Sequence, residues 1–322
     1  GSGVSPEDIQ IHTKYVPDID MLQEVDFRYT EKIIDRSLQR LNRDVLDLVQ
    51  FHGWDYDVPG AVETAGHLVK LQDKGKIRCI GTTNFDAEHL EEIVDAGIPI
   101  VSVQAQYSVL DRRPERSLVK YCQENDIAIL CYGTLSGGFL AERWLGKTMD
   151  QAETRSQVKY FQVIEDTMGW DGFQTLLAML KDIGEKYGVS IANVASNYIL
   201  DQPGVGAAIV GVRNSRHVES NLRTLSFHLE EEDRKSIRRH LEGYGILPGE
   251  PFGLERTPGS KYRNIMKMNL SEERLRYDVG REHQKADDGL VVFPFVFPTP
   301  ESGGLSWGLP IAHCCRARLL AW

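Results

Sequence analysis

Residues 46–85, LDLVQFHGWDYDVPGAVETAGHLVKLQDKGKIRCIGTTNF, decide the fold. Leu46 to Phe51 is a short, largely apolar run, and Ile77 to Gly81 is a second one. Between them Val62, Ala65, Leu68 and Val69 recur at helical spacing on one face, and Gly75 offers the left-handed residue that closes a helix. Two buried runs joined by an amphipathic helix read as parallel strands with a helical crossover. Each run stops at polar residues, His52 after the first and Thr83-Asn84 after the second.

The same grammar extends outward from Ile9 to about Leu241. Further strands are expected at Ile9 to Thr13, Ile100 to Val103, Ile127 to Cys131 and Ala207 to Val210, which makes six in all. Helices are expected around Leu90, Ile93 and Val94, opened by Asp86 and stopped near Gly97, around Leu118 and Cys122, and around Phe173 to Ile183. Two more follow, around Val194 to Ile199 and from about Glu230 to Glu242, where acidic residues lead and Arg238, Arg239 and His240 follow, in the order that suits the helix dipole. Gly204 and Gly206 precede a strand instead of following one, which argues against a dinucleotide fingerprint of the doubly wound kind.

The chain has 322 residues, enough for a barrel of about 250 residues with extensions. With 41% hydrophobic and 26% charged residues it has the balance of a packed globular protein. A formal net charge of -10 lacks the basic footprint of a protein that binds nucleic acid or an anionic membrane, so neither partner is expected. Five cysteines without a C-x-x-C pair suit a reducing compartment and no zinc ribbon, and no metal is expected. No apolar run approaches the ~20 residues of a membrane span, and GSGVSPEDIQ has no leader pattern, so a cytoplasmic protein is expected. The expected organisation is a barrel over residues 1–245, a C-terminal extension over 246–288 with a polar helix at Asn269 to Asp288, and an irregular tail over 289–322. That tail, with FPFVFP, Cys314-Cys315 and almost no charge, reads either as a docking segment or, preferably, as sequence foreign to the rest of the reading frame.

In a parallel α/β barrel the loops after the strands converge on one rim, and chemistry gathers there. The strand ends supply Lys14, His52, Thr83, Asn84, Gln104, Tyr132, Gly211 and Arg213. Each has an ordinary structural use when taken alone. Together they offer a cation, an imidazole, two amides and an aromatic face, a set suited to a nicotinamide ring and a carbonyl oxygen that must be polarised as hydride arrives. Gly133 to Gly138 either cradles a pyrophosphate through its backbone N–H groups or is a flexible turn. Gly211-Val212-Arg213-Asn214, leading into Glu219-Ser220-Asn221, sets a cation and a helix start near an anion. Trp54 and Tyr56, just after His52, either line a substrate pocket or form a packed lid.

The strings IHTK, DLVQFH, GKIRCIGTTNF, VSVQAQYSVLDRR, CYGTLSGGFL and IVGVRNSRHVESN together resemble the aldo-keto reductases. The resemblance spans about Ile9 to Gly245 and implies a (β/α)8 barrel and hydride transfer between a nicotinamide cofactor and an aldehyde, ketone or alcohol. It implies NADP(H) rather than NAD(H). By the same resemblance Lys14 is the active-site lysine and His52 orients the carbonyl. Thr83, Asn84 and Gln104 hold the carboxamide, and Tyr132 stacks on the nicotinamide. Gly133, Leu135 and Ser136 fall in the pyrophosphate loop, while Gly211, Arg213, His217, Ser220 and Asn221 fall at the adenosine end. His217 departs from the longer polar side chain common there.

The family's catalytic tyrosine and its supporting aspartate precede the lysine strand, and only a short leader precedes Lys14. Neither Tyr15 nor Tyr29 stands in that motif. The expectation is therefore a chain that lacks the first two strands, with two open sheet edges and impaired turnover. The competing expectation is a non-catalytic NADP(H)-binding regulatory or scaffold protein, similar to the β-subunits of potassium channels.

Overall fold

In the computed structural model the described residues are 9–148, 154–212 and 215–266, together with the backbone of 319–321. They form two compact units, the first running through Gln104 and the second from Ala105 to Ile265, joined by 319–321. The Asn269 to Asp288 helix, the rest of the tail and Arg213 lie outside the described residues.

The first unit alternates parallel strands and helices: β1 (His12–Tyr15), α1 (Phe27–Leu41), β2 (Leu46–His52), α2 (Ala61–Asp73), β3 (Ile77–Thr83), α3 (Ala87–Asp95) and β4 (Ile100–Gln106), whose last two residues belong to the second unit. Every residue of β2 is buried, as expected of a strand covered on both faces. β1 pairs with β2, β2 with β3 and β3 with β4, all in parallel. β1 starts later than the apolar run suggests and takes in Lys14 and Tyr15, because Tyr15 is fully buried and continues the pairing opposite Phe51. Helix starts follow local chemistry: the Asp26 carboxylate accepts the Tyr29 N–H and the Asp86 carboxylate accepts the His89 N–H.

The second unit holds α4 (Leu118–Glu124), β5 (Ala128–Tyr132), α5 (Arg155–Thr167), α6 (Gly169–Tyr187), α7 (Ile191–Leu200), β6 (Val205–Val210), α8 (Arg216–Leu222), α9 (Glu231–Glu242) and the single turn α10 (Gly253–Arg256). β5 pairs with β6 in parallel. A seventh strand, β7 (Leu319–Ala321), pairs in parallel with β6, where the sequence suggested an open edge. The unpaired backbone groups of a sheet edge accept any extended segment that reaches them. Alternating parallel strands and helices make this an α/β fold of the barrel type. Among the described residues no helix is long and apolar enough to cross a membrane.

Candidate active site

In the first unit, strand alternation sorts the polar residues onto one face. Lys14 stands opposite Gln50, Gln50 opposite Gly81, and Gly81 opposite Ser102. One step further along, His52 stands opposite Thr83 and Thr83 opposite Gln104. Side chains two residues apart share a face, so Lys14, Gln50, His52, Thr83, Ser102 and Gln104 form one polar patch. Tyr15 and Phe51 occupy the other face, where the Tyr15 hydroxyl lies 3.1 Å from Thr30 Oγ1 on α1. The patch therefore turns away from the helical layer. Gly81 is required within it, since a Cβ there would sit 2.6 Å from Ser102 Oγ and 2.9 Å from the Ser102 carbonyl.

Gln50 and Ser102 are residues that the motif reading passed over. Gln50 is 2% exposed, and neither its Nε2 nor Ser102 Oγ has a hydrogen-bond partner among the described residues. Buried polar atoms without partners are costly unless a ligand or water meets them. Period two from His52 and from Gln104 is the signal that finds both.

Lys14 is half-buried, and burial lowers its ammonium pKa to about 8. The folded state thus sheds this proton at lower pH than the unfolded chain, for which about 10.5 applies. Folding stability gains as pH rises from about 8 to about 10.5, where the cost of burying the charge disappears. Urea midpoints measured across that range will rise more in the parent chain than in Lys14→Met; parallel trends in the two would contradict the buried ammonium.

His52 is 5% exposed, and its Nε2 lies 2.9 Å from Asn84 Nδ2. With an amide N–H facing it, that ring nitrogen accepts, which places the imidazole proton on Nδ1. Asn84 holds the left-handed conformation (φ 64°), which asparagine tolerates better than most residues, and its N–H donates to the Gln104 carbonyl at 2.8 Å. Trp54 lies over His52, with ring centroids 4.2 Å apart, and its indole N–H donates to the Pro17 carbonyl at 2.8 Å. The loop after β2 is thereby tied to the loop after β1. The Tyr56 hydroxyl accepts the Asp86 N–H at 3.1 Å and donates to the Asn84 carbonyl at 3.4 Å, while its ring stacks on His89 at 3.5 Å. Tyr56 thus braces the turn that carries Asn84.

In the second unit the backbone turns sharply after β5. Gly133, Ser136, Gly137 and Gly138 all have positive φ (73°, 48°, 63° and 87°). Tyr160 of α5 fills the space beneath, so that a Cβ at Gly133 would overlap its hydroxyl and one at Gly137 would lie 2.8 Å from its ring. The turn is pinned internally, with the Ser136 N–H donating to the Gly133 carbonyl (2.8 Å) and the Gly138 N–H to the Leu135 carbonyl (2.9 Å). Thr134 Oγ1 and Ser136 Oγ are buried with no hydrogen-bond partner among the described residues. A left-handed, glycine-rich turn with two waiting hydroxyls is a fitting cradle for phosphate oxygens. Arg143, absent from the motif reading, reaches the same turn, its Nη2 donating to the Gly138 carbonyl at 3.1 Å.

Tyr132, half-buried, ends β5 and leads into this turn. Burial, with the Glu255 charge, holds its phenol well above the usual range, so the ring stays neutral. β6 runs parallel to β5, and Gly211 leaves it at the same end as Gly133. The Gly211 carbonyl accepts a hydrogen bond from Asn221 Nδ2 at 3.2 Å. His217 and Ser220 are exposed on α8, and the Ser220 carbonyl accepts from Asn193 Nδ2 at 2.8 Å.

The comparisons with known proteins agree with one another. The model of the aldo/keto reductase family matches residues 2–242. The aldo-keto reductase YhdN of Bacillus subtilis is 32% identical over 214 residues, covering 65% of this chain and 62% of that protein. The NADH-specific methylglyoxal reductase of Escherichia coli is 30% identical over 215 residues, covering 64% of this chain and 62% of the relative. This chain thus spans 62% of the length of both. Among solved structures, a glycerol dehydrogenase from Gluconobacter oxydans superposes with a TM-score of 0.60 at 25% identity, covering 70% of this chain and 67% of that one.

Proposed function

The chain belongs to the aldo/keto reductase family, and on that premise we propose that it is an NADP(H)-dependent oxidoreductase interconverting aldehydes or ketones with alcohols. The observation that carries this reading is the polar face on which Lys14, with its pKa near 8, and His52, paired to Asn84, share the ends of parallel strands. Bound reduced nicotinamide supplies a hydride to a carbonyl carbon, and the oxygen then needs a proton. His52 orients the carbonyl oxygen, and the depressed Lys14 ammonium is the residue on this face able to lend a proton or stabilise developing negative charge. Thr83, Asn84 and Gln104 hold the carboxamide and Tyr132 stacks on the ring. Gly133, Leu135 and Ser136 take the pyrophosphate, helped by the unpartnered Thr134 and Ser136 hydroxyls. Gly211, Arg213, His217, Ser220 and Asn221 serve the adenosine end, with Trp54 and Tyr56 beside the substrate.

The test is deuterium transfer from 4-deuterated NADPH to an aldehyde such as methylglyoxal. Stereospecific incorporation that disappears in Lys14→Met and His52→Ala is expected. NADPH that binds but transfers no label to any carbonyl would contradict the enzymatic reading.

A further inference from the structure

The second unit holds a buried cluster of charges that the proposed chemistry does not use. Arg113, Asp111 and Glu255 are each 0% exposed. The Arg113 guanidinium donates to both Asp111 oxygens (2.9 and 2.7 Å) and to Glu255 Oε2 (3.1 Å). Lys159 Nζ completes the set 2.9 Å from Glu255 Oε1, giving two cations and two carboxylates. Glu255 lies in the C-terminal extension, Lys159 on α5.

Lys159 is held among aromatic rings as well. Its ammonium lies 5.8 Å from the centroid of Tyr132, 5.8 Å from that of Tyr160 and 5.9 Å from that of Phe252. Tyr160 is the residue beneath the Gly133 turn. Phe252 comes from the extension and holds a positive φ of 62°, a conformation costly for a bulky side chain that persists only where the surroundings impose it. The extension is fastened on either side of this contact. The Arg116 guanidinium donates to the Leu247 carbonyl at 3.1 Å and the Ser117 hydroxyl to the Glu250 carboxylate at 2.7 Å. Lys261 and the Tyr262 hydroxyl reach the Asp166 carboxylate on α5 at 2.6 and 2.8 Å.

We infer that the C-terminal extension is a positioning element for the nicotinamide end of the cofactor: Glu255 fixes Lys159, and the Lys159 ammonium fixes the Tyr132 ring by cation–π attraction. This rests on the proposed role of Tyr132. Lys159 is a positioning residue and touches no reacting atom. A loose Tyr132 ring stacks less well, so the effect is confined to ligands that carry a nicotinamide.

Equilibrium titrations of the full chain with NADPH and with 2′,5′-ADP, which shares the adenosine end and lacks the ring, test this. Lys159→Met is expected to weaken NADPH about five- to tenfold, the range a partly desolvated cation–π contact allows, while 2′,5′-ADP binds as before. Lys159→Arg, which keeps the cation, restores NADPH affinity. Glu255→Gln shows the same split where it folds, and Lys159→Met, at the cluster's more accessible edge, keeps the test open where it does not. Unchanged NADPH affinity in Lys159→Met, or an equal loss for both ligands, would overturn the inference. A parent chain that binds neither ligand would overturn the NADP(H) reading and this inference with it.

Discussion

Gly133→Ala will lower the thermal midpoint by roughly 10 °C and weaken NADPH binding at least tenfold. Two costs add at this position. Gly133 has φ 73°, where an L-residue loses about 1–2 kcal/mol. A methyl group there also overlaps the Tyr160 hydroxyl, and Tyr160 is 7% exposed with little freedom to retreat. Overpacking of that kind costs about 1–3 kcal/mol. Together they remove about 2–5 kcal/mol, and each kcal/mol moves the midpoint of a unit the size of the second one by about 2–4 °C. Because the turn carries Thr134 and Ser136, binding suffers with stability. Tyr160→Phe in the same chain removes the overlapping oxygen and recovers the steric part only. Full recovery would deny the backbone strain, and a Gly133→Ala chain melting like the parent would deny both.

Arg113→Met will destabilise the second unit by about 3–5 kcal/mol, because it leaves the Asp111 carboxylate buried without its guanidinium and Glu255 with Lys159 alone. The same cluster sets the response to acid. Burial pushes the Glu255 carboxyl up, but the Lys159 and Arg113 charges outweigh it and hold the pKa at about 2. The unfolded carboxyl titrates near 4.5, so Glu255 contributes stability in full above that pH and loses it as pH falls through about 2. The contribution is about 3 kcal/mol. Circular dichroism of the parent chain from pH 5 to pH 2 will show cooperative loss of structure, whereas Glu255→Gln, already weaker at pH 5, will show a flatter dependence. A steeper acid transition in Glu255→Gln would reverse the assigned sign.

Strands were legible because parallel strands are buried on both faces: LDLVQF and IRCIG leave little alternative. The polar residues that end them were legible for the same reason, since a polar side chain at the end of a buried run needs a use. α1 was harder to see, with only Thr30, Ile33 and Ile34 buried in FRYTEKIIDRSLQRL. Its signals were terminal, the Asp26 cap and Asn42 in the left-handed conformation (φ 50°). α5 likewise announces itself through a capping box at Thr154 and Gln157, not through hydrophobic rhythm. Gln50 and Ser102 stand inside their strands, where period two carries the polar face one step in from the strand ends. The Arg113–Glu255 pair was beyond any local reading, because 142 residues separate its members and only the fold brings them together.

The most direct test of the central claim is a tryptophan-fluorescence titration of this chain with NADPH, repeated with NADH. Trp54 lies over His52, which places a reporter beside the proposed chemistry. Saturable quenching at micromolar NADPH, with NADH requiring higher concentration, is the result expected of a chain that assembles an NADP(H) site. No saturable change with either dinucleotide would contradict it.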